Sequence, residues 1–224
     1  MEEKFLKIKE IVEKELSQAD HDMDHVMRVY SLSLKLAENE EVDLDVLKSA
    51  ALLHDIARVK EDSDYTGSTD HAVLGAEMAM PILKDLGFPE EKIRKIQDCI
   101  ASHRYRTGSE PKSMEAKILF DADKLDSLGA IGIARAFAWV GRNNAKIYSE
   151  EDVGEYIKSN LGGQKAGKIQ DKTKHSPQAE FETKLKFLQE KLYTPKAKEV
   201  CKERTEFVKN FLDTLEKEIK GGIE

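Results

Sequence analysis

The stretch LDVLKSAALLHDIAR, residues 44–58, constrains the fold of this chain more than any other. Leu44, Val46, Leu47, Ala50, Ala51, Leu52 and Leu53 make it the most apolar helical segment of the first half, and Asp43 stands where an N-cap belongs. Such a helix must be buried, yet it runs directly into His54 and Asp55. Two adjacent polar groups do not interrupt a core helix unless something satisfies them, because burying an unpaired carboxylate or imidazole is costly. The rest of the chain therefore has to deliver partners to this point.

The flanking sequence is helical by the same logic. Phe5, Leu6, Ile8, Ile11, Val12 and Leu16 recur at the helical period and predict a helix over residues 2–17. Asp20 or Asp22 can cap a second helix over 23–38, with His21 in the capping region, and the third carries residues 44–58. After a polar stretch at 60–68 the period resumes over 70–86, Gly87 supplies a stop, and Pro89 opens a helix over 90–102. The loop RYRTGSEP separates this from a helix over 113–128. Helices over 178–192 and 195–219 close the chain, the last announced by Thr194 and Pro195. With aromatics at 7% and only 5 prolines against abundant Lys, Glu, Leu and Ala, the expectation is an all-α fold. We expect one domain: a helical core over 1–140, a long loop or flap over 141–177 where apolar periodicity is weak, and C-terminal helices over 178–224 completing the same bundle. In GAIGIA the small residues suit close helix packing, and the order of a phosphate-binding glycine loop is missing.

Charge and cysteine content narrow the function. The 36 basic residues against 43 acidic ones leave a net charge of −7, which does not furnish the basic surface that duplex nucleic acid requires. Cys99 and Cys201 belong to no CxxC pair, which argues for a reducing compartment and no disulfide framework. The opening MEEKFLKIKEIVEKELSQ lacks the apolar run of a signal peptide or membrane span, so no membrane partner and a cytoplasmic location are expected.

His25 in DHVMRV and Asp123 in ILFDADKLD resemble His54-Asp55 in following or preceding apolar runs on neighbouring helices. Together His25, His54, Asp55 and Asp123 can converge on one ion. Imidazole with carboxylate suits Mn, Fe, Co, Ni or Zn, and the absence of thiolates argues against a closed structural zinc site. An ion so held can acidify a water and polarise a phosphoryl oxygen, chemistry that fits hydrolysis of a phosphate ester or anhydride.

The order His25, His54-Asp55, Asp123 looks like the H...HD...D signature of the HD superfamily of metal-dependent phosphohydrolases. The strings HDMDHVMRVYSLSLKLA, LKSAALLHDIARV, HAVLGAEMA, EAKILFDADKLDSLGAIGIARAF and EFETKLKFLQEKLYTPKAKEVCKERTEFVKNFL extend the resemblance over most of the chain, toward a bacterial and archaeal subfamily of small HD hydrolases. That subfamily includes pyrophosphohydrolases that split nucleoside triphosphates into monophosphate and pyrophosphate. The resemblance thus implies a small phosphorylated substrate, a nucleotide first of all. It also implies roles for His71 and His103: ligands of a second metal bridged by Asp55, or, with one ion, donors to the phosphates. One position departs from the pattern, since similar proteins tend to carry His where this chain has Glu180; His175 stands five positions earlier. Lys124, next to Asp123, is a candidate to stabilise charge on the phosphoryl group, and Arg28, Arg58 and Arg135 are candidates to bind it. The alternatives are a phosphomonoesterase or cyclic phosphodiesterase on the same metal, or a noncatalytic nucleotide sensor. RYRTGSEP and 141–177 are the expected substrate-selecting elements.

Overall fold

Phe5, Ile8, Val12 and Leu16 point inward from α1 (Glu3–Leu16), the buried stripe that their spacing demands. They are part of a computed structural model that describes residues 1–16, 23–104, 109–165 and 167–222. The expected caps Asp20 and Asp22, with His21, lie outside the described residues, as does the middle of RYRTGSEP. Among the described residues there is no strand, and the fold is all-α as expected. Among the described residues no helix is long and apolar enough to cross a membrane.

The chain divides into two compact units, Met1–Asp123 and Lys124–Glu224. In the first, α2 (Met23–Leu36) and α3 (Leu44–Leu53) follow α1, and then a short α4 (Arg58–Asp62), α5 (His71–Asp85), α6 (Glu90–Ser102) and the start of α7 (Met114–Leu125). α3 is central, packed against α1, α2 and α6, while α5 lies along α6. Leu47, Leu52 and Leu53 are fully buried, each contributing about 1.5–3 kcal/mol by the usual burial scale. The Asp43 carboxylate accepts from the Asp45 and Val46 amides, so the cap forms as the sequence predicts. The Asp43 amide donates to Glu115 of α7 at 2.8 Å, tying α7 to the start of the central helix.

α3 ends at Leu53, short of the expected Arg58. The His54 ring donates from Nδ1 to the Ala51 carbonyl at 2.9 Å, an acceptor that a continued helix would offer to the Asp55 amide. The chain turns through Asp55, Ile56 and Ala57 before α4 begins. His54 and Asp55 therefore sit at a break between helices.

In the second unit, α8 (Gly129–Arg142) packs on the long α11 (Pro195–Ile219), α10 (Pro177–Thr183) touches both, and α9 (Val153–Asn160) packs on α10. Within GAIGIA, Gly132 approaches the turn before it so closely that a Cβ would lie 2.3 Å from the Ser127 carbonyl oxygen. Gly129 adopts a φ of +70°. Both glycines are structural, as their small size suggests. Thr194 caps α11, accepting from the Ala197 amide at 3.3 Å.

Residues 141–177, expected as a loop or flap, contain α9 and a short 3₁₀ turn at Lys172–Lys174. Asn160 donates to the Asp171 carbonyl at 3.0 Å and accepts from its amide at 2.7 Å, and Tyr156, His175 and Ser176 are buried. Polar groups thus help to fasten the segment, beside the buried Tyr156 and Leu161, and such bonds leave no mark on the apolar period. The helix expected over 178–192 is also divided: α10 ends at Thr183, whose hydroxyl bonds back to the Ala179 carbonyl, and a 3₁₀ stretch, Leu185–Lys191, follows.

Candidate metal centre

Helix ends of the first unit deliver a ring of donors to Asp55. His25 lies in the first turn of α2, His54 and Asp55 in the turn after α3, His71 at the start of α5, His103 just past the end of α6, and Asp123 in the last turn of α7. All four imidazoles and Asp55 are buried. The His25 Nε2 is 3.3 Å from the His54 Nε2, 3.6 Å from Asp55 Oδ2 and 3.4 Å from Asp123 Oδ1, and the His54 Nε2 is 3.7 Å from Asp55 Oδ2. On the other side of the same carboxylate, Asp55 Oδ1 lies 3.5 Å from the His71 Nε2 and 3.6 Å from the His103 Nε2, which are themselves 3.2 Å apart. Asp55 thus turns one oxygen to His25 and His54 and the other to His71 and His103.

Hydrogen bonds on the far ring nitrogens fix the imidazole tautomers. The His54 and His103 Nδ1 groups donate to the Ala51 and Ile100 carbonyls at 2.9 and 2.6 Å, using acceptors that the last turn of a helix leaves unpaired. The His71 Nδ1 lies 2.8 Å from Glu61 Oε2, which only accepts, and 3.2 Å from Arg58 Nη1, which only donates; the shorter, charge-assisted contact to Glu61 decides, and the proton is on the ring nitrogen. In its neutral form each of these three rings therefore presents a bare Nε2 lone pair to the centre.

Bare lone pairs at such separations repel unless a cation lies among them, and the donor set fits a divalent transition ion on this ground. With metal–nitrogen bonds of about 2.1 Å, neighbouring donors are about 3.0 Å apart at right angles and about 3.4 Å at the tetrahedral angle. The observed separations run from 3.2 Å, between those two edges, to 3.7 Å, slightly beyond the longer one. Among the described residues two groups could each hold an ion, His25 with His54 and Asp55, and Asp55 with His71 and His103. Asp123 lies beside His25 in the first.

The electrostatics suit ligation. Burial pushes the His54 imidazole down to about 4, against the pull of Asp55, so the ring is neutral at pH 7. His71 is likewise lowered, burial outweighing Asp55. For Asp55 burial alone would raise the carboxyl, but the surrounding His54, His103 and His25 outweigh it and hold it well below the usual range.

The basic residues named from the sequence have varied surroundings. Arg28 is half-buried on α2, one turn beyond His25. Arg58 donates to Glu61 at 2.9 Å and lies 3.6 Å from Asp62. Lys124 follows Asp123 in α7 and is half-buried. Arg135, in the second unit, donates to Asp126 Oδ2 at 2.6 Å. Glu180, at the departing position, pairs with Lys184 at 2.6 Å and with the His175 Nε2 at 3.4 Å. Burial opposes its charge, but Lys184 and His175 prevail and hold the carboxyl below its ordinary range. Glu61 and Arg104 were missed by sequence reasoning. Glu61 is signalled only by its i,i+3 spacing from Arg58, and Arg104 only by its place directly after His103.

A family model described as the HD domain matches residues 23–128. An uncharacterised Bacillus subtilis protein, YpgQ, is 31% identical over 205 residues, spanning 90% of this chain and 85% of its own length. The crystal structure of YpgQ in complex with ADP is similar at a TM-score of 0.71 with 28% identity, covering 96% of this chain and 94% of that one. An HD-superfamily hydrolase from Bacillus thuringiensis gives 0.69 with 27% identity, covering 97% of each chain. A predicted HD superfamily hydrolase from an uncultured Thermotogales bacterium gives 0.64 with 28% identity, covering 95% of this chain and 91% of that one.

Proposed function

The chain belongs to the HD superfamily, and from that premise we propose that it is a phosphohydrolase dependent on divalent transition metal, acting on a nucleotide and releasing pyrophosphate from a nucleoside triphosphate. The observation that carries the metal-dependent reading is Asp55, whose Oδ2 stands 3.6 Å from the His25 Nε2 and whose Oδ1 stands 3.5 Å from the His71 Nε2. That arrangement favours two ions sharing one carboxylate, with His25, His54, Asp55 and Asp123 holding the first and Asp55, His71 and His103 the second. When bound, such ions supply Lewis acidity toward a phosphoryl oxygen and acidify water. The identity of the metal stays with the class that imidazole and carboxylate prefer, Mn, Fe, Co, Ni or Zn.

The protein's own part is orientation and charge. His54, His71 and His103 hold their Nε2 lone pairs inward because their Nδ1 protons are engaged elsewhere. Lys124, adjacent in sequence to Asp123, and Arg28, one turn beyond His25, are assigned to the phosphate charge. Arg58 and Arg135 are assigned there too, and each would share its charge with a carboxylate it already bonds, Glu61 and Asp126 respectively. The nucleotide assignment is supported by the relative YpgQ, whose crystal structure contains ADP.

The test is turnover of ribo- and deoxynucleoside mono-, di- and triphosphates with each metal in turn, with pyrophosphate and orthophosphate measured separately. Pyrophosphate release that requires metal and disappears in Asp55→Ala is expected. Orthophosphate or ring opening as the product would move the enzyme to the phosphomonoesterases or cyclic phosphodiesterases. Nucleotide binding without turnover under any metal would make it a sensor.

A further inference from the structure

The three histidines with defined tautomers reach that state by different routes, and the difference singles out one residue. His54 and His103 stand at C-terminal helix ends, where unpaired carbonyls three residues back, of Ala51 and Ile100, take their Nδ1 protons. His71 is the first residue of α5, so no helical turn precedes it and no such carbonyl is on offer. A helix N-terminus moreover carries partial positive charge, which disfavours a cation on the ring. Arg58 adds to this, with Nη1 3.2 Å from the His71 Nδ1. His71 is therefore the one of the three that cannot be made a good metal donor by its own helix.

Glu61 meets this need from α4. Its Oε2 accepts from the His71 Nδ1 at 2.8 Å and from Arg58 at 2.9 Å, while Oε1 accepts from Arg104 at 2.8 Å. Arg104 also binds Asp70 at 2.9 Å, and the Asp70 carboxylate caps α5 through the Ala72 amide. The ring of bonds closes on itself: Glu61 holds His71, Arg104 holds Glu61 and the cap of the helix that begins with His71, and Arg104 directly follows His103. Of the two imidazoles of the second ion group, His71 is bonded to the Glu61 carboxylate directly, and His103 stands one residue before Arg104, which holds the other oxygen of that carboxylate.

We propose that Glu61 is a positioning residue that selectively sets the affinity of the second ion, by orienting His71 and enriching its Nε2 lone pair through a charged hydrogen bond. The inference rests on the two-ion reading of the centre. A carboxylate behind a ligating histidine fixes the ring and raises its basicity, and removing such partners typically lowers metal affinity by about 10- to 100-fold.

The experiment is calorimetric titration of the full chain, stripped of metal, with Mn²⁺ alone, paired with the visible absorption of the Co²⁺-loaded protein, for wild type, Glu61→Gln and His71→Ala. The expected result is two ions in wild type, with Glu61→Gln weakening one of them by about 10- to 100-fold, the same ion that His71→Ala removes, and moving the Co²⁺ spectrum toward that of His71→Ala. If Glu61→Gln fails to fold by circular dichroism, Arg104→Gln, which frees the other oxygen of the same carboxylate, is read in its place. Two ions bound with unchanged affinities would overturn the inference and leave the two-ion reading standing. Equal weakening of both ions would also overturn it, by reducing Glu61 to a general structural role. A single ion in wild type would overturn the two-ion reading and this inference with it.

Discussion

Metal binding should stabilise this protein by an amount that counts the ions, and Asp55→Ala should abolish it. The donors come from the first turn of α2, the turn after α3, the start of α5, the end of α6 and the last turn of α7, so unfolding the first unit destroys the centre entirely. A ligand that binds only the folded state at a hundredfold excess over its Kd stabilises by about 2.7 kcal/mol. Two ions then contribute about 5 kcal/mol, and for a chain of this length each kcal/mol raises Tm by about 2–4 °C. The metal-induced shift should be about 10–20 °C for two ions and about half that for one. Because both Asp55 oxygens face histidine nitrogens, at 3.6 Å to His25 and 3.5 Å to His71, Asp55→Ala takes a donor from both groups at once. Scanning calorimetry of the stripped protein, with and without Mn²⁺, reads the shift directly. A variant whose Tm still rises with metal as much as the wild type would refute the assignment of Asp55 to the centre.

Two further predictions concern the second unit. Tyr156→Phe removes the hydroxyl that lies 2.6 Å from the buried His175 Nδ1 and 3.1 Å from the Asn160 amide, leaving both without it. Urea unfolding should show a loss of about 1–3 kcal/mol, the cost of unsatisfied buried groups, and an unchanged midpoint would show that the network contributes nothing. Gly132→Ala would drive a Cβ to within 2.3 Å of the Ser127 carbonyl oxygen, and because that neighbour is backbone it cannot turn aside. The expected loss is about 3 kcal/mol, at the upper end for overpacking, and wild-type thermal stability in that variant would contradict the close approach.

The first four candidate ligands were legible because each sits at the edge of an apolar run, where a polar side chain needs a reason. His54 and Asp55 were the clearest, following Leu52 and Leu53, both fully buried. What the local pattern could not show is that α3 stops at Leu53, because the acceptor that ends it, the Ala51 carbonyl, is claimed by the His54 side chain and not by a backbone amide. His71 and His103 carried no such signal and were named through family resemblance alone. Glu61 looked like part of the solvated run after Arg58, and its bond to His71 spans ten residues of sequence. The segment 141–177 was read as loop or flap for a related reason. Its anchors are Asn160 to Asp171 and Tyr156 to His175, polar pairs far apart in sequence, and hydrophobic periodicity is blind to them.

A single physical rule organises the centre nonetheless. Each defined histidine needs one nitrogen protonated and bonded so that the other is bare, and helix ends differ in what they offer for that purpose. A C-terminal end provides carbonyl acceptors, so His54 and His103 obtain theirs from within their own helices, at the cost of ending those helices where the ligands stand. An N-terminal end provides only amides, which can donate but not accept, so His71 has to be served from outside. The short α4, inserted between the His54-Asp55 turn and α5, is what brings Glu61 to that position. The break in the central helix and the appearance of α4 are therefore parts of one arrangement: the turn that exposes Asp55 to two pairs of imidazoles also starts the helix that supplies the missing acceptor.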